Sequence, residues 1–188
     1  AAGLVEVVPT AHYMMGGVEV SIDCETDLKG LYCAGEDAGG VHGANRLGGN
    51  GVANSTVFGG IAGDVMGMDI RKMPGLREPD EAVLETELAR AIYPLGRKPD
   101  LVLPLRKDLQ KVMWDEVGVM RTETGMKRGL TGIAEVSGRL MDVGVDDANL
   151  AFNLTWHDWL NLRSLCDISE VITKAGIARE NSRGAHFR

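Results

Sequence analysis

The densest run of chemically suggestive residues is Gly35-Glu36-Asp37-Ala38-Gly39-Gly40-Val41-His42-Gly43-Ala44-Asn45-Arg46-Leu47-Gly48-Gly49-Asn50-Gly51. So many glycines let backbone amides approach a ligand closely. The segment behind them, Val52 to Val65, is small, apolar and free of proline, and reads as a helix whose positive dipole end opens at the same place. An anion or an electron-rich ring belongs there. A tight structural loop is the competing reading, and composition alone favours it. No G-x-G-x-x-G exists in the chain, since Gly49-Asn50-Gly51 continues to Asn54 where a third glycine would be needed. Taken by residue type alone, Arg46 reads as a surface ion-pair partner and His12 as a structural histidine. His42 could line a site or fix the loop.

Elements must position these groups. Leu4 to Val8, Val18 to Ile22 and Gly30 to Ala34 are short runs rich in Val, Ile, Leu or Tyr between Pro or Gly turns, and read as strands. Strand, glycine loop and helix is the order of a phosphate- or cofactor-binding crossover. Residues 73–104, with Pro74, Pro79, Pro94 and Pro99 around one helix, Asp80 to Ile92, read as a connector. The period then becomes helical. Leu105, Leu109, Val112 and Met113 make one stripe, Met126, Leu130, Ile133 and Leu140 a second, and Leu162, Leu165, Ile168, Ile172 and Ala175 a third. Three such helices suggest a three-helix bundle. Pro104 suits a first helical position and Thr122 an N-cap. Trp156, His157, Asp158 and Trp159 are adjacent on a helix, point to different faces, and read as packing residues. The division is therefore residues 1–72, a connector over 73–104, and a helical domain with a tail over 105–188.

The chain has 188 residues, 44% hydrophobic and 25% charged, which suits an ordinary globular protein with a real core. No stretch reaches the roughly 18 to 20 apolar residues of a membrane span. The opening residues lack the basic flank and apolar centre of a secretory signal, so attachment to a membrane is expected only through partners. The net charge is −7 and lies wholly in residues 1–70, which hold nine acids against Lys29 and Arg46. No basic stripe is visible, which excludes ordinary DNA or RNA binding. Cys24, Cys33 and Cys166 are odd in number and show no C-x-x-C spacing, which argues against a disulfide framework or a metal centre and for a reducing, cytosol-like compartment.

Three ordered motifs make the chain recognisable: Pro9-Thr10-Ala11-His12-Tyr13-Met14-Met15-Gly16-Gly17, Gly30-Leu31-Tyr32-Cys33-Ala34-Gly35-Glu36, and His42-Gly43-Ala44-Asn45-Arg46-Leu47-Gly48-Gly49-Asn50. Together they closely resemble the flavoprotein subunits of the succinate dehydrogenase and fumarate reductase family. Met113-Trp114-Asp115-Glu116-Val117-Gly118 and Glu180-Asn181-Ser182-Arg183-Gly184-Ala185-His186 are similar to that family's helical C-terminal domain and tail. The resemblance implies an α+β portion of a longer enzyme: part of an FAD-binding α/β domain followed by a helical bundle.

That family moves a hydride between FAD and a four-carbon dicarboxylate, succinate or fumarate. By resemblance His12 and Arg46 are the substrate-binding residues, His12 donating to a carboxylate and Arg46 clamping the dicarboxylate in planar, bidentate fashion. Glu36 would accept hydrogen bonds from FAD hydroxyls. Asn50, Gly51 and Val52 would open a helix aimed at the flavin pyrimidine edge, where its dipole favours the negative charge of reduced flavin. The general acid, an arginine, belongs to a capping domain outside these residues, so the 188 residues alone are expected to be inactive. The implied partner is an iron–sulfur subunit, met on the inner face of the membrane. The tail is expected to fold back on the flavin domain, and unpaired sheet edges leave self-association open.

One departure stands out. Many family members carry serine and then leucines where this chain reads Gly51-Val52-Ala53-Asn54-Ser55-Thr56. A serine hydroxyl contact at Gly51 cannot form, which opens a fumarate reductase-like paralogue or an L-aspartate oxidase-like enzyme. A non-catalytic docking module for an iron–sulfur subunit is the alternative of another class.

Overall fold

The computed structural model describes residues 3–5, 12–76 and 78–188. The chain separates into two compact units, residues 1–77 and residues 78–188. The stretch expected as a connector thus lies for the most part in the second unit.

In the first unit the dominant element is α1, Asn50–Lys72. It runs a full turn or more beyond the expected Val65, because nothing in Met66 to Lys72 breaks a helix. Arg71 and Lys72 complement its carboxyl end, and Pro74 follows directly. Its Ala62 and Asn54 are buried and Phe58, Ile61 and Val65 half-buried.

The two expected strands within the described residues, Val18 to Ile22 and Gly30 to Ala34, do not form as strands. Only isolated bridges occur, Val18 beside Ala38 in parallel and Glu25 opposite Tyr32 in antiparallel sense. A two-stranded ribbon is marginal without a third strand or a covering face, and the left-handed Cys24 (φ 63°) bends the hairpin after one pair. The remaining strand, Leu4 to Val8, lies largely outside the described residues. Long-range bonds fix the loops instead. Val18 N–H donates to Asp37 O and Gly39 N–H to Val18 O, both at 2.8 Å. Tyr32 Oη donates to Asp69 Oδ2 at 2.6 Å, and Cys24 Sγ points to Phe58 O on α1 at 3.5 Å.

The second unit holds α2 (Glu81–Ile92), a 3₁₀ turn (Tyr93–Gly96), α3 (Val102–Val117), α4 (Glu123–Leu140) and α5 (Leu154–Ala178). Side-chain caps start three of the four helices. Asp80 accepts from Ala82 N and Val83 N, Thr122 from Gly125 N as its position suggested, and Asn153 from Trp156 N. Pro104 lies third in α3 rather than first. The first-turn amides have no intrahelical acceptor, so proline is tolerated anywhere in that turn.

One core joins α3, α4 and α5 with the 3₁₀ turn and the 143–145 loop. It contains Val102, Leu105, Leu109, Ile133, Val136, Leu140, Val143, Val145, Trp159, Leu162 and Cys166. Burial of such side chains contributes about 1.5–3 kcal/mol each. Trp159 Nε1 donates to both Leu140 O and Val143 O, and Trp156 Nε1 to Ala91 O. His157 and Asp158 are exposed, so of the four adjacent residues expected to pack only Trp156 and Trp159 do. The third stripe needs correction: Leu162 is buried as expected and Ile172 half-buried, but Leu165, Ile168 and Ala175 are exposed, and α5 buries Trp159, Cys166, Ser169, Thr173 and Gly176 beside Leu162. Polar and small residues on the buried face made the apolar count misleading. Among the described residues no helix is long and apolar enough to cross a membrane.

The tail is tied to its own unit. Arg121 Nε donates to Val117 O and Gly118 O, and its Nη1 lies 3.0 Å from His186 Nδ1. His186 Nε2 meets Arg179 O at 3.1 Å. Arg188 bonds Ile177 O, Arg179 O and Glu123.

Candidate functional site

The glycine run ends at Gly49, whose left-handed φ of 86° turns the chain into α1 and supplies no side-chain cap. An Asp or Ser at this position would have closed the helix end; glycine leaves it open. Asn50 N–H is taken by Leu47 O. The amides of Gly51 and Val52 have no acceptor among the described residues, and no acidic residue stands in the first turn. The positive end of α1 is thus uncompensated.

Arg46 reaches the same corner. Its guanidinium carbon lies 4.2 Å from the centroid of the Tyr13 ring, a cation–π geometry. Its Nη1 lies 3.7 Å from where a Cβ on Gly51 would stand. Among the described residues Nη1 makes only a long 3.4 Å bond to Leu47 O, and the buried Nε has no partner. No carboxylate pairs with it among the described residues. The site therefore concentrates unused donors: the Arg46 guanidinium and two helix-end amides. Such a set binds an anion or an electron-rich ring edge.

Behind it stands a cluster that sequence reasoning did not assemble. Asn54, only 4% exposed, donates through Nδ2 to Gly35 O at 3.0 Å. The same nitrogen lies 3.3 Å from Tyr13 Oη and 3.2 Å from His42 Nε2. His42 and Tyr13 are also 3.2 Å apart at Nε2 and Oη, with their rings edge to face. Asn54 was legible only as a misplaced residue in a glycine pattern. Nothing in the chain announced Tyr13 and His42 as its partners. His42, left open between site and loop, holds the loop through this cluster.

The other sequence-derived candidates fall as follows. Glu36 is exposed, and its Oε1 accepts from Met14 N–H at 2.8 Å. It joins the first motif to the second and leaves Oε2 open to a hydroxyl donor. His12 is exposed, makes no hydrogen bond to a described residue, and precedes the Tyr13 on which Arg46 rests. Asn50, Gly51 and Val52 form the first turn of α1 as expected. Gly51 faces the ring: a Cβ there would stand 2.9 Å from Tyr13 Cε2. A serine is thus sterically as well as chemically different at this point. Among the described residues no cluster of His, Cys, Asp or Glu could hold a metal.

Comparison with known proteins covers both units. Residues 4–52 match the family described as FAD binding domain, and residues 106–188 match Fumarate reductase flavoprotein C-term. An uncharacterized FAD-dependent oxidoreductase of Methanocaldococcus jannaschii is 37% identical over 97% of this chain and 32% of its own length. The fumarate reductase flavoprotein subunit of Mycobacterium tuberculosis is 35% identical over 98% of this chain and 33% of its own. Among solved structures, Mycobacterium smegmatis Sdh1 superposes with a TM-score of 0.88 at 36% identity, covering 94% of this chain and 30% of that one. The chain spans about a third of the length of the relatives it matches.

Proposed function

Because this chain is similar along both units to flavoprotein subunits of fumarate reductases and succinate dehydrogenases, we propose that it forms part of an FAD-dependent oxidoreductase acting on a four-carbon dicarboxylate. The observation that carries this reading is Arg46: a guanidinium resting on Tyr13 beside the open end of α1, its buried Nε without a partner.

The residues present fit a flavin and a dicarboxylate. Glu36, with one oxygen free, would hold hydroxyls of FAD, and Asn50, Gly51 and Val52 would present the amides at the start of α1 to the ring edge. When bound, FAD supplies the hydride carrier. Arg46 then binds and orients one substrate carboxylate, and His12, one residue from Tyr13, donates to a carboxylate from the same segment. Fixed donors favour charge developing on that carboxylate without having to reorganise. The proton donor is assigned to the rest of the full-length protein, so residues 1–188 alone do not turn over. Residues 1–72 are the flavin-domain portion. Residues 105–188 are a three-helix bundle and tail that, in the whole assembly, offer a face to an iron–sulfur subunit through which the membrane is approached.

The test uses full-length protein carrying Arg46→Met, which keeps the stem and removes the charge. Charge-assisted hydrogen bonds contribute about 1.5–3 kcal/mol each. Losing two of them corresponds to a rise of about a hundredfold or more in the fumarate Kd read from the flavin spectrum, with flavin content unchanged. An undiminished response to fumarate would overturn the reading. A response to aspartate in place of fumarate and succinate would move the enzyme to the aspartate oxidase branch. A full-length protein that binds no flavin but docks an iron–sulfur subunit would make it a docking module.

A further inference from the structure

We infer that Asn54 is a positioning residue for the dicarboxylate site, fixing Arg46 through Tyr13 and His42; the inference rests on the role proposed for Arg46 above. Gly35 O can only accept, so the bond at 3.0 Å requires the amide nitrogen of Asn54 to face it. That orientation limits the rest of the cluster: Nδ2 carries two hydrogens, so after Gly35 O one remains, to be accepted by His42 Nε2 at 3.2 Å or Tyr13 Oη at 3.3 Å. Tyr13 Oη and His42 Nε2, 3.2 Å apart, share a further hydrogen, so the three side chains are tied together in either arrangement.

The Tyr13 ring is consequently held on three sides. Its hydroxyl is pinned by Asn54 and His42, its edge lies against Gly51, where no Cβ intervenes, and the His42 ring meets it edge to face at 5.2 Å. Its remaining face carries the guanidinium at 4.2 Å. A cation held by a carboxylate has its donors occupied, whereas one held over an aromatic face keeps them for a ligand. Arg46 shows that consequence in its unpartnered Nε. Asn54 therefore acts at a distance from the anion: it keeps the ring still, and the ring keeps the guanidinium oriented while its donors stay free. Its burial, 4% exposed on the second turn of α1, makes it a fixed point from which to do so.

The experiment uses the full-length flavin-loaded protein and malonate, a dicarboxylate with no central carbon pair to reduce, titrated through the flavin absorbance. FAD content and the KM and kcat for fumarate are read alongside. Asn54→Ala is expected to raise the malonate Kd and the fumarate KM about tenfold, with FAD content unchanged and kcat less affected, as loss of one positioning hydrogen bond implies. In an Arg46→Lys background, where the planar shelf contact is already lost, the same change is expected to add less than about twofold, because the two residues act as one unit.

Full additivity, the same roughly tenfold loss with lysine at position 46, would overturn the inference. So would an unchanged malonate Kd in Asn54→Ala. If that variant fails to fold, Tyr13→Phe reads the cluster from its partly exposed side. It keeps the ring and removes the hydroxyl, with an expected rise of about threefold; no change would refute the inference. Failure of the underlying reading looks different. Arg46→Lys by itself would leave malonate binding intact, whatever Asn54 does.

Discussion

Two glycines on α4 provide a test of how the helical unit is held together. A Cβ on Gly129 would stand 2.9 Å from Val117 Cγ2, 3.4 Å from Glu116 Cβ and 3.9 Å from Thr173 Cγ2, where α3 and α5 close on α4. A Cβ on Gly138 would meet nothing within 4 Å. Replacing an exposed helical glycine by alanine stabilises by about 0.5–1 kcal/mol through backbone entropy. Gly138→Ala should show that gain. Gly129→Ala should have the same entropic gain but force Val117, only 3% exposed, out of its place. Overpacking of that kind costs about 1–3 kcal/mol, leaving a net loss near 1 kcal/mol. The two variants should therefore differ by about 2 kcal/mol with opposite signs.

Urea unfolding followed by tryptophan fluorescence reads this unit alone, because Trp114, Trp156 and Trp159 all lie in it. With m near 1–3 kcal/mol per molar, the midpoints should separate by about 1 M. Gly129→Ala as stable as Gly138→Ala would refute the close approach of α3 to α4 and the reasoning built on it.

Two further outcomes follow from titrating groups. The hydrogen bond to Asp69 pushes the Tyr32 hydroxyl up to about 12, and the same bond, with Lys72, lowers Asp69. The contact is thus at full strength between the carboxylate and phenol ranges, weakening as pH falls through the lowered Asp69 value or rises through that of Tyr32. Ultraviolet titration should show one late tyrosine that moves to the ordinary range in Asp69→Asn, and no movement would refute the tie. In the tail, burial, with Arg121, Arg179 and Arg188 nearby, lowers His186. The unfolded chain then binds more protons in the window below the ordinary histidine value, so stability present above that value is lost as pH falls. Release of residues 183–188 to carboxypeptidase should rise between about pH 7 and pH 5, the range spanned by the histidine titration, and His186→Gln should flatten the profile.

Three motifs and their spacing pointed to the family whose members the chain resembles, and with it to the α1 start at Asn50, two residues before the Val52 that local reading gave; local chemistry sufficed for the Thr122 cap and the α3 and α4 stripes, because caps and helical period are properties of neighbouring residues. Extended runs such as Val18 to Ile22 gave a different answer from the structure, since a strand exists only through partners and only single bridges form here. The face of α5 was also misread. Apolar spacing favoured Leu165 and Ile168, yet helix packing buries Ser169, Thr173 and Gly176, whose small size lets the neighbouring helices approach. At the site, the resemblance carried by the motifs supplied Arg46 and Glu36 as candidates, and their residue types suited the roles. Only the tertiary structure brought Asn54, Tyr13 and His42 together, because residues 12 to 41 positions apart in the chain become neighbours when loops are bonded across space. What a side chain can do is written in its chemistry; whether its donors are left free is decided by what folds against it.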